Sequence, residues 1–163
     1  NCKLYSMKYF KLSEFAVSET YPKLVEKPTE NIKNNVENLV EKILDPIRAS
    51  IGIPITITSG YRNKKLNKAV GGSTTSNHLY GYAADCVCGN KRSDNLKLVY
   101  AILNLGLDYD EIIIEEGTLT SPHWIHIAVK PFNNRKKFLY SPNGKTYRNI
   151  KAEKSIVWNF KLI

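Results

Sequence analysis

The chain has three histidines, and all fall in two short motifs. The first is Ser76-Asn77-His78-Leu79-Tyr80-Gly81-Tyr82-Ala83-Ala84-Asp85; the second is Pro122-His123-Trp124-Ile125-His126-Ile127-Ala128. His78, Asp85 and the distant His126 offer two imidazole nitrogens and one carboxylate oxygen, a donor set that zinc uses in catalytic sites. Three protein ligands leave the fourth tetrahedral position for water, which distinguishes a catalytic zinc from a structural one.

The elements around these residues decide whether they can meet. On a strand through Trp124–Val129, alternation puts Trp124, His126 and Ala128 on one face and Ile125, Ile127 and Val129 on the other. A strand at Tyr82–Val87 carries Asp85, and the flexible loop Gly71–Ser76 delivers His78. A loop supplying one ligand and the next strand another is a common way to build a site on a rigid scaffold. Spacing alone leaves two readings open: a metal site, or histidines satisfied within an ordinary core.

Upstream, Ile32, Val36, Leu39, Val40, Ile43, Leu44 and Ile47 recur at helical spacing and predict an amphipathic helix. Asp45-Pro46 should bend or restart it, and Gly52 should close it with a glycine cap. Ser13 and Ser18 are candidate caps for short helices. Ile55–Thr58 is β-branched throughout and reads as a strand, followed by a short helix around Asn63–Ala69. Ser93 reads as the N-cap of a helix running to Leu105, stopped by Gly106. Tyr109–Glu115 is a further strand. Asn143-Gly144 signals a hairpin, and Ile156–Phe160 an edge strand or a docked tail. Helices and strands do not alternate regularly. The expected class is therefore α+β: one small domain with helices packed on a largely antiparallel sheet.

The 163 residues suit one domain, and no apolar run approaches the roughly 18–20 residues of a membrane span. The N-terminus has no apolar signal region, so no secretory signal is expected. The sole methionine is Met7, which suggests that residues 1–6 are an upstream translation or a processing remnant. Lys and Arg outnumber Asp and Glu by 24 to 15, a net charge of +9. Such a surface favours polyanions, including anionic cell-wall polymers. No DNA-reading motif or aromatic-interleaved basic stripe points to a specific nucleic-acid role. Cys2, Cys86 and Cys88 form no disulfide framework. On a strand Cys86 and Cys88 share the face opposite Asp85 and Val87, as buried small hydrophobes. A structural zinc site using both with histidines is the rival reading.

Several segments resemble, in order, the zinc D-Ala-D-Ala carboxypeptidase family of metallopeptidases, in the branch common among phage lytic enzymes. They are Phe10-Lys11-Leu12-Ser13-Glu14-Phe15, Leu44-Asp45-Pro46-Ile47-Arg48, Thr58-Ser59-Gly60-Tyr61-Arg62, Leu66-Asn67-Lys68-Ala69-Val70-Gly71-Gly72-Ser73, Ser76-Asn77-His78, Gly81-Tyr82-Ala83-Ala84-Asp85 and Trp124-Ile125-His126. The resemblance implies a fold shared with the hedgehog zinc domain, occupying residues 10–163 after an extension at 1–9. It implies Zn2+ on His78, Asp85 and His126, and hydrolysis of peptide bonds next to D-amino acids in peptidoglycan stems. It further implies a phage or prophage lytic enzyme, made in the host cytoplasm or carried in the virion and acting at the wall; a monomer is expected.

For the general base, Glu115 ends its strand where the family often has a Glu. Glu116 should point the other way. Other branches place the base three residues before the last histidine ligand, which here is His123, expected to face away from His126. Arg62, in the family's Ser-Gly-Tyr-Arg motif, suits a peptide's terminal carboxylate; bracing the loop or pairing with Asp85 is the alternative. Ser76 either donates to substrate or caps the His78 turn. A non-catalytic zinc module of the same fold, serving as a virion or envelope-binding part, is the other functional reading.

Overall fold

The computed structural model describes residues 6–154 and 158–163. Cys2, and Ile156 and Val157 of the expected tail strand, lie outside them. The elements are helices α1 (Glu30–Leu39), α2 (Asp45–Ile51), α3 (Lys64–Ala69) and α4 (Leu96–Leu105), with seven strands. The strands are β1 (Ile55–Ser59), β2 (Ala83–Cys88), β3 (Glu111–Thr118), β4 (Ser121–Ala128), β5 (Lys137–Ser141), β6 (Arg148–Lys154) and β7 (Trp158–Leu162). They form one sheet in the order β1-β2-β4-β3-β5-β6-β7. Every neighbouring pair is antiparallel except β3 and β5, which run parallel. The α+β expectation holds.

The predicted amphipathic helix forms in two parts. Thr29 caps α1 by accepting from the Ile32 N–H, and a wider π turn at Val40–Leu44 joins α1 to α2. The irregularity sits directly before Pro46, whose missing N–H and ring prevent a regular ladder there. Gly52 ends α2 at a φ of 70°. The Asp45 carboxylate accepts the Lys8 and Tyr9 N–H groups at 2.9 and 3.2 Å, tying the segment before Phe10 to the helix junction.

Ser93 does not cap α4. A 3-10 turn at Arg92–Asn95 precedes that helix, and Asp94 Oδ2 accepts the Asn90 and Lys91 N–H groups instead. An ionised carboxylate outcompetes a hydroxyl for those donors. Ser13 also does not cap: the Leu12–Phe15 turn starts at Lys11, whose N–H goes to Glu14. Ser18 does accept from the Tyr21 N–H.

Helices α1, α2 and α4 cover one face of the sheet. Leu39, Ile43, Ile47, Leu98 and Ile102 pack there against Ile57, Ala84, Cys86, Ile112, Ile114, Ile125 and Ile127. Burying this apolar surface is the main stabilising term. Cys86 and Cys88 are buried free thiols on that face, as small hydrophobes would be. The opposite face carries Asp85, His126, Glu111, Ile113 and Glu115. Register sets Asp85 beside His126 and His126 beside Ile113, with Glu111 and Glu115 two residues to either side of Ile113 on the same face.

Past β1 the chain turns at Gly60, where the Phe15 backbone leaves no space for a side chain. A Cβ there would lie 2.5 Å from Phe15 O and 2.6 Å from its Cα. The Tyr61 N–H donates to that same Phe15 oxygen. Gly60→Ala should therefore lower the unfolding free energy by about 2–3 kcal/mol through overpacking. Gly52→Ala, with open space but a left-handed backbone, should cost about 1 kcal/mol. Urea denaturation of both variants checks this; equal losses would mean that the Phe15 segment yields.

Candidate metal centre

His78, Asp85 and His126 converge. His78 sits in a 3-10 turn, Asn77–Tyr80, whose N-cap is Ser76. Ser76 Oγ accepts the His78 N–H at 3.3 Å. Asn77 Nδ2 anchors the turn from below by donating to the buried Asp110. The Arg62 N–H donates to the His78 carbonyl. The loop that should be flexible by composition is thus fastened immediately before the ligand.

The ring orientations are set by the backbone and by carboxylates. His78 Nδ1 lies 2.6 Å from the Gly60 carbonyl, which can only accept, so Nδ1 carries the proton and Nε2 offers its lone pair. His78 Nε2 is 3.2 Å from His126 Nδ1 and 3.3 Å from Asp85 Oδ1, and His126 Nδ1 is 3.0 Å from Asp85 Oδ1. Tetrahedral ligands held at roughly 2.0–2.1 Å from a zinc ion stand about 3.3 Å from one another. The three separations therefore fit a single zinc ion. On the far side of its ring His126 Nε2 is buried with no hydrogen bond, and Glu111 Oε1 stands 3.5 Å away. A carboxylate behind a ligating imidazole fixes its tautomer and raises its basicity.

Without a cation the three groups set one another's charge. Burial pulls the His126 imidazole down, but Asp85 and Glu111 outweigh it and push it up to about 9. Burial would raise Asp85, yet the two imidazoles hold it well below the usual carboxylate range. His78 is lowered, by burial first. A divalent cation at this point would replace the shared proton and meet the lone pairs of both imidazoles and the carboxylate at once.

Glu115 pairs across the sheet with Trp124 and borders the same cleft, 8% exposed. Burial and then the Asp85 charge push its carboxyl up to about 7. Glu116 does not simply turn away. Left-handed backbone at Glu116 (φ 53°) and Gly117 (φ 68°) twists the strand, and Glu116 reaches the cleft rim. His123 is half-buried, does not line the cleft, and its Nδ1 lies 3.1 Å from Glu116 Oε2. Arg62 reaches Asp85 Oδ2 at 3.5 Å and Asn67 Oδ1 at 3.4 Å, while its buried Nε has no partner. The cleft holds about 870 Å³.

A family model described as Peptidase M15 matches residues 8–128. The chain belongs to that family. A stretch of 38 residues is 45% identical to a zinc D-Ala-D-Ala carboxypeptidase of Streptomyces albus G. That stretch is 23% of this M15 chain and only 15% of the relative. Family and relative together indicate Zn2+ as the cofactor, and the His78–Asp85–His126 cluster is a possible site for it. Among the described residues no helix is long and apolar enough to cross a membrane.

Glu111, Asp110 and Tyr147 were missed by sequence reading. Alternation along β3 places Glu111 on the face of Ile113 and Glu115, so that signal was available. Asp110 and Tyr147 reach the site through tertiary pairing that no local pattern announces.

Glu115 gives a prediction for the metal-free chain. Its folded pKa lies above its unfolded value, so the ionised form destabilises the fold at high pH, and the effect vanishes once both states are protonated. Glu115→Gln should therefore gain about 1–3 kcal/mol at pH 8 and nothing near pH 4, read by urea denaturation in chelator. A variant no more stable than its parent at pH 8 would mean that Glu115 is solvated.

Proposed function

We propose that this M15 chain is a zinc-dependent peptidase that hydrolyses peptide bonds next to D-amino acids in peptidoglycan stems. Residues 10–163 form the peptidase domain in this reading, with residues 1–9 preceding it. The observation that carries it is the convergence of His78, Asp85 and His126 on one point, with the buried Glu115 carboxylate bordering the same cleft. The setting we propose is a phage or prophage lytic enzyme, a monomer acting at the bacterial wall, its net charge of +9 suited to anionic wall polymers.

His78, Asp85 and His126 would hold the zinc. When bound, the ion supplies Lewis-acid polarisation of the scissile carbonyl and makes water a stronger nucleophile. The chain's own residues do the rest. Glu115 accepts a proton from the attacking water and returns it to the leaving amine. Burial, which raises this carboxyl in the metal-free chain, suits a group that must take up a proton and give it back. The Gly60 carbonyl holds the His78 ring, and Glu111 steadies His126. Arg62 lines the cleft with one N–H group 3.5 Å from Asp85 Oδ2, while its remaining N–H groups suit a substrate carboxylate. Ser76 serves first as the cap of the His78 turn; its hydroxyl hydrogen remains for substrate.

His123 is the weaker base candidate, because its ring nitrogen is engaged by Glu116 and it starts on the other strand face. Glu115→Gln should cut release of peptides from purified peptidoglycan by about 10²–10⁴-fold with zinc content unchanged. His123→Ala should cost under tenfold. Mass spectrometry of released muropeptides reads both. A silent Glu115→Gln beside an inactive His123→Ala would reverse the roles. No zinc-dependent release by the parent from any wall type would leave the non-catalytic binding module instead.

A further inference from the structure

The family match ends at residue 128, yet the cleft does not. Strand β5 joins the sheet in parallel beside β3, pairing Glu111 with Lys137 and Ile113 with Leu139. Paired residues point to the same side of a sheet, so Lys137 and Leu139 extend the face that carries His126, Glu111 and Glu115. Leu139 pairs in turn with Asn149 of β6, two residues after Tyr147. Lys137, Lys145 and Tyr147 all line the cleft. The strand order puts this flank at the opposite end of the floor from β1 and the Arg62 side.

The β5–β6 hairpin is held firmly enough to act as a flank. Tyr140 Oη donates to the Gly117 carbonyl at 2.8 Å, and Phe138 packs edge-on against Phe160 in the core. Asn143 Oδ1 accepts the Lys145 and Thr146 N–H groups, and Tyr147 Oη donates to the Gly144 carbonyl.

Charge bookkeeping isolates two cations there. Arg135 is committed to Asp110. Lys151 and Lys161 share Glu153. Lys137 and Lys145 are exposed and form no ion pair among the described residues, although Lys137 feels the Glu111 carboxylate. Glu116, on the rim, is engaged by His123. Two ammonium groups with no salt bridge among the described residues, beside a half-exposed tyrosine ring, suit a carboxylate on an extended peptide.

We propose that Lys137, Lys145 and Tyr147 form a substrate subsite on the β5–β6 flank that receives a carboxylate-bearing residue of the peptide beyond the bond to be cut. It rests on the peptidase reading for the identity of the occupant. The ring offers a surface for the peptide chain while the two ammonium groups select an acid over its amide. An exposed ion pair is weak and screened by salt, so the expected discrimination is modest and should fall as ionic strength rises.

Equilibrium binding tests this apart from turnover. The probes are two stem analogues, acetyl-L-Ala-γ-D-Glu-L-Lys-D-Ala-D-Ala and its counterpart with the D-Glu α-carboxylate amidated. They are titrated calorimetrically into the zinc-loaded Glu115→Gln chain, which should not consume them. The acid should bind about three- to tenfold more tightly at low salt. Adding Lys137→Gln and Lys145→Gln together should abolish that preference and leave the amide's affinity within twofold. Circular dichroism and zinc content identify any variant that fails to fold, and Lys145→Gln alone then replaces the pair. Equal binding of acid and amide by the parent, or a preference that survives both substitutions, overturns the subsite, as does no binding of either probe. Peptide release from walls without acid preference would overturn the subsite and leave the peptidase reading intact; acid preference without release would do the reverse.

Discussion

Two imidazoles and a carboxylate held within about 3.3 Å of one another at a buried point are the constraint on which the rest of this protein turns. Removing such groups from water costs several kcal/mol per charge unless each finds a partner. The surroundings answer that cost one atom at a time. The Gly60 carbonyl takes the His78 proton, Arg62 stands beside the outer Asp85 oxygen, and Glu111 stands behind His126. What remains unsatisfied is the shared centre, which fits a divalent cation.

The rest of the fold can be understood as the apparatus that keeps those atoms together. Antiparallel register delivers Asp85 and His126 side by side, and only a sheet held rigid by a helix-covered apolar face keeps that register. A slip of one residue would send both side chains into the core. The loop carrying His78 has no sheet to fix it, so it is fastened instead by Ser76, by Asn77 on Asp110 and by the backbone of Arg62. Gly60 matters because its missing side chain lets Phe15 approach and because its carbonyl faces the ring.

Much of this was legible in the sequence where local pattern and tertiary demand agree. The helical stripe from Ile32 to Ile47, the break at Pro46 and the stop at Gly52 are each set by nearest-neighbour chemistry. Strand alternation sorted Cys86 from Asp85 and Ile125 from His126. Where two local groups competed, the sequence was ambiguous: Asp94 displaced Ser93 because a carboxylate is the stronger acceptor. The parallel pairing of β3 with β5 was illegible because it depends on non-local contacts, and with it went Tyr147 and the second flank of the cleft. Glu111 was legible and overlooked; its two-residue spacing from Ile113 put it on the site's face.

The central claim concerns which atoms hold the metal, and zinc K-edge X-ray absorption of the intact chain loaded with one equivalent reports them directly. The expected spectrum has nitrogen and oxygen scatterers at about 2.0–2.1 Å, two of them imidazole rings, and no sulfur. His126→Ala should lose one imidazole contribution together with stoichiometric binding. A sulfur shell near 2.3 Å, or an unchanged spectrum in His126→Ala, would contradict the assignment and move the metal to the cysteines or elsewhere.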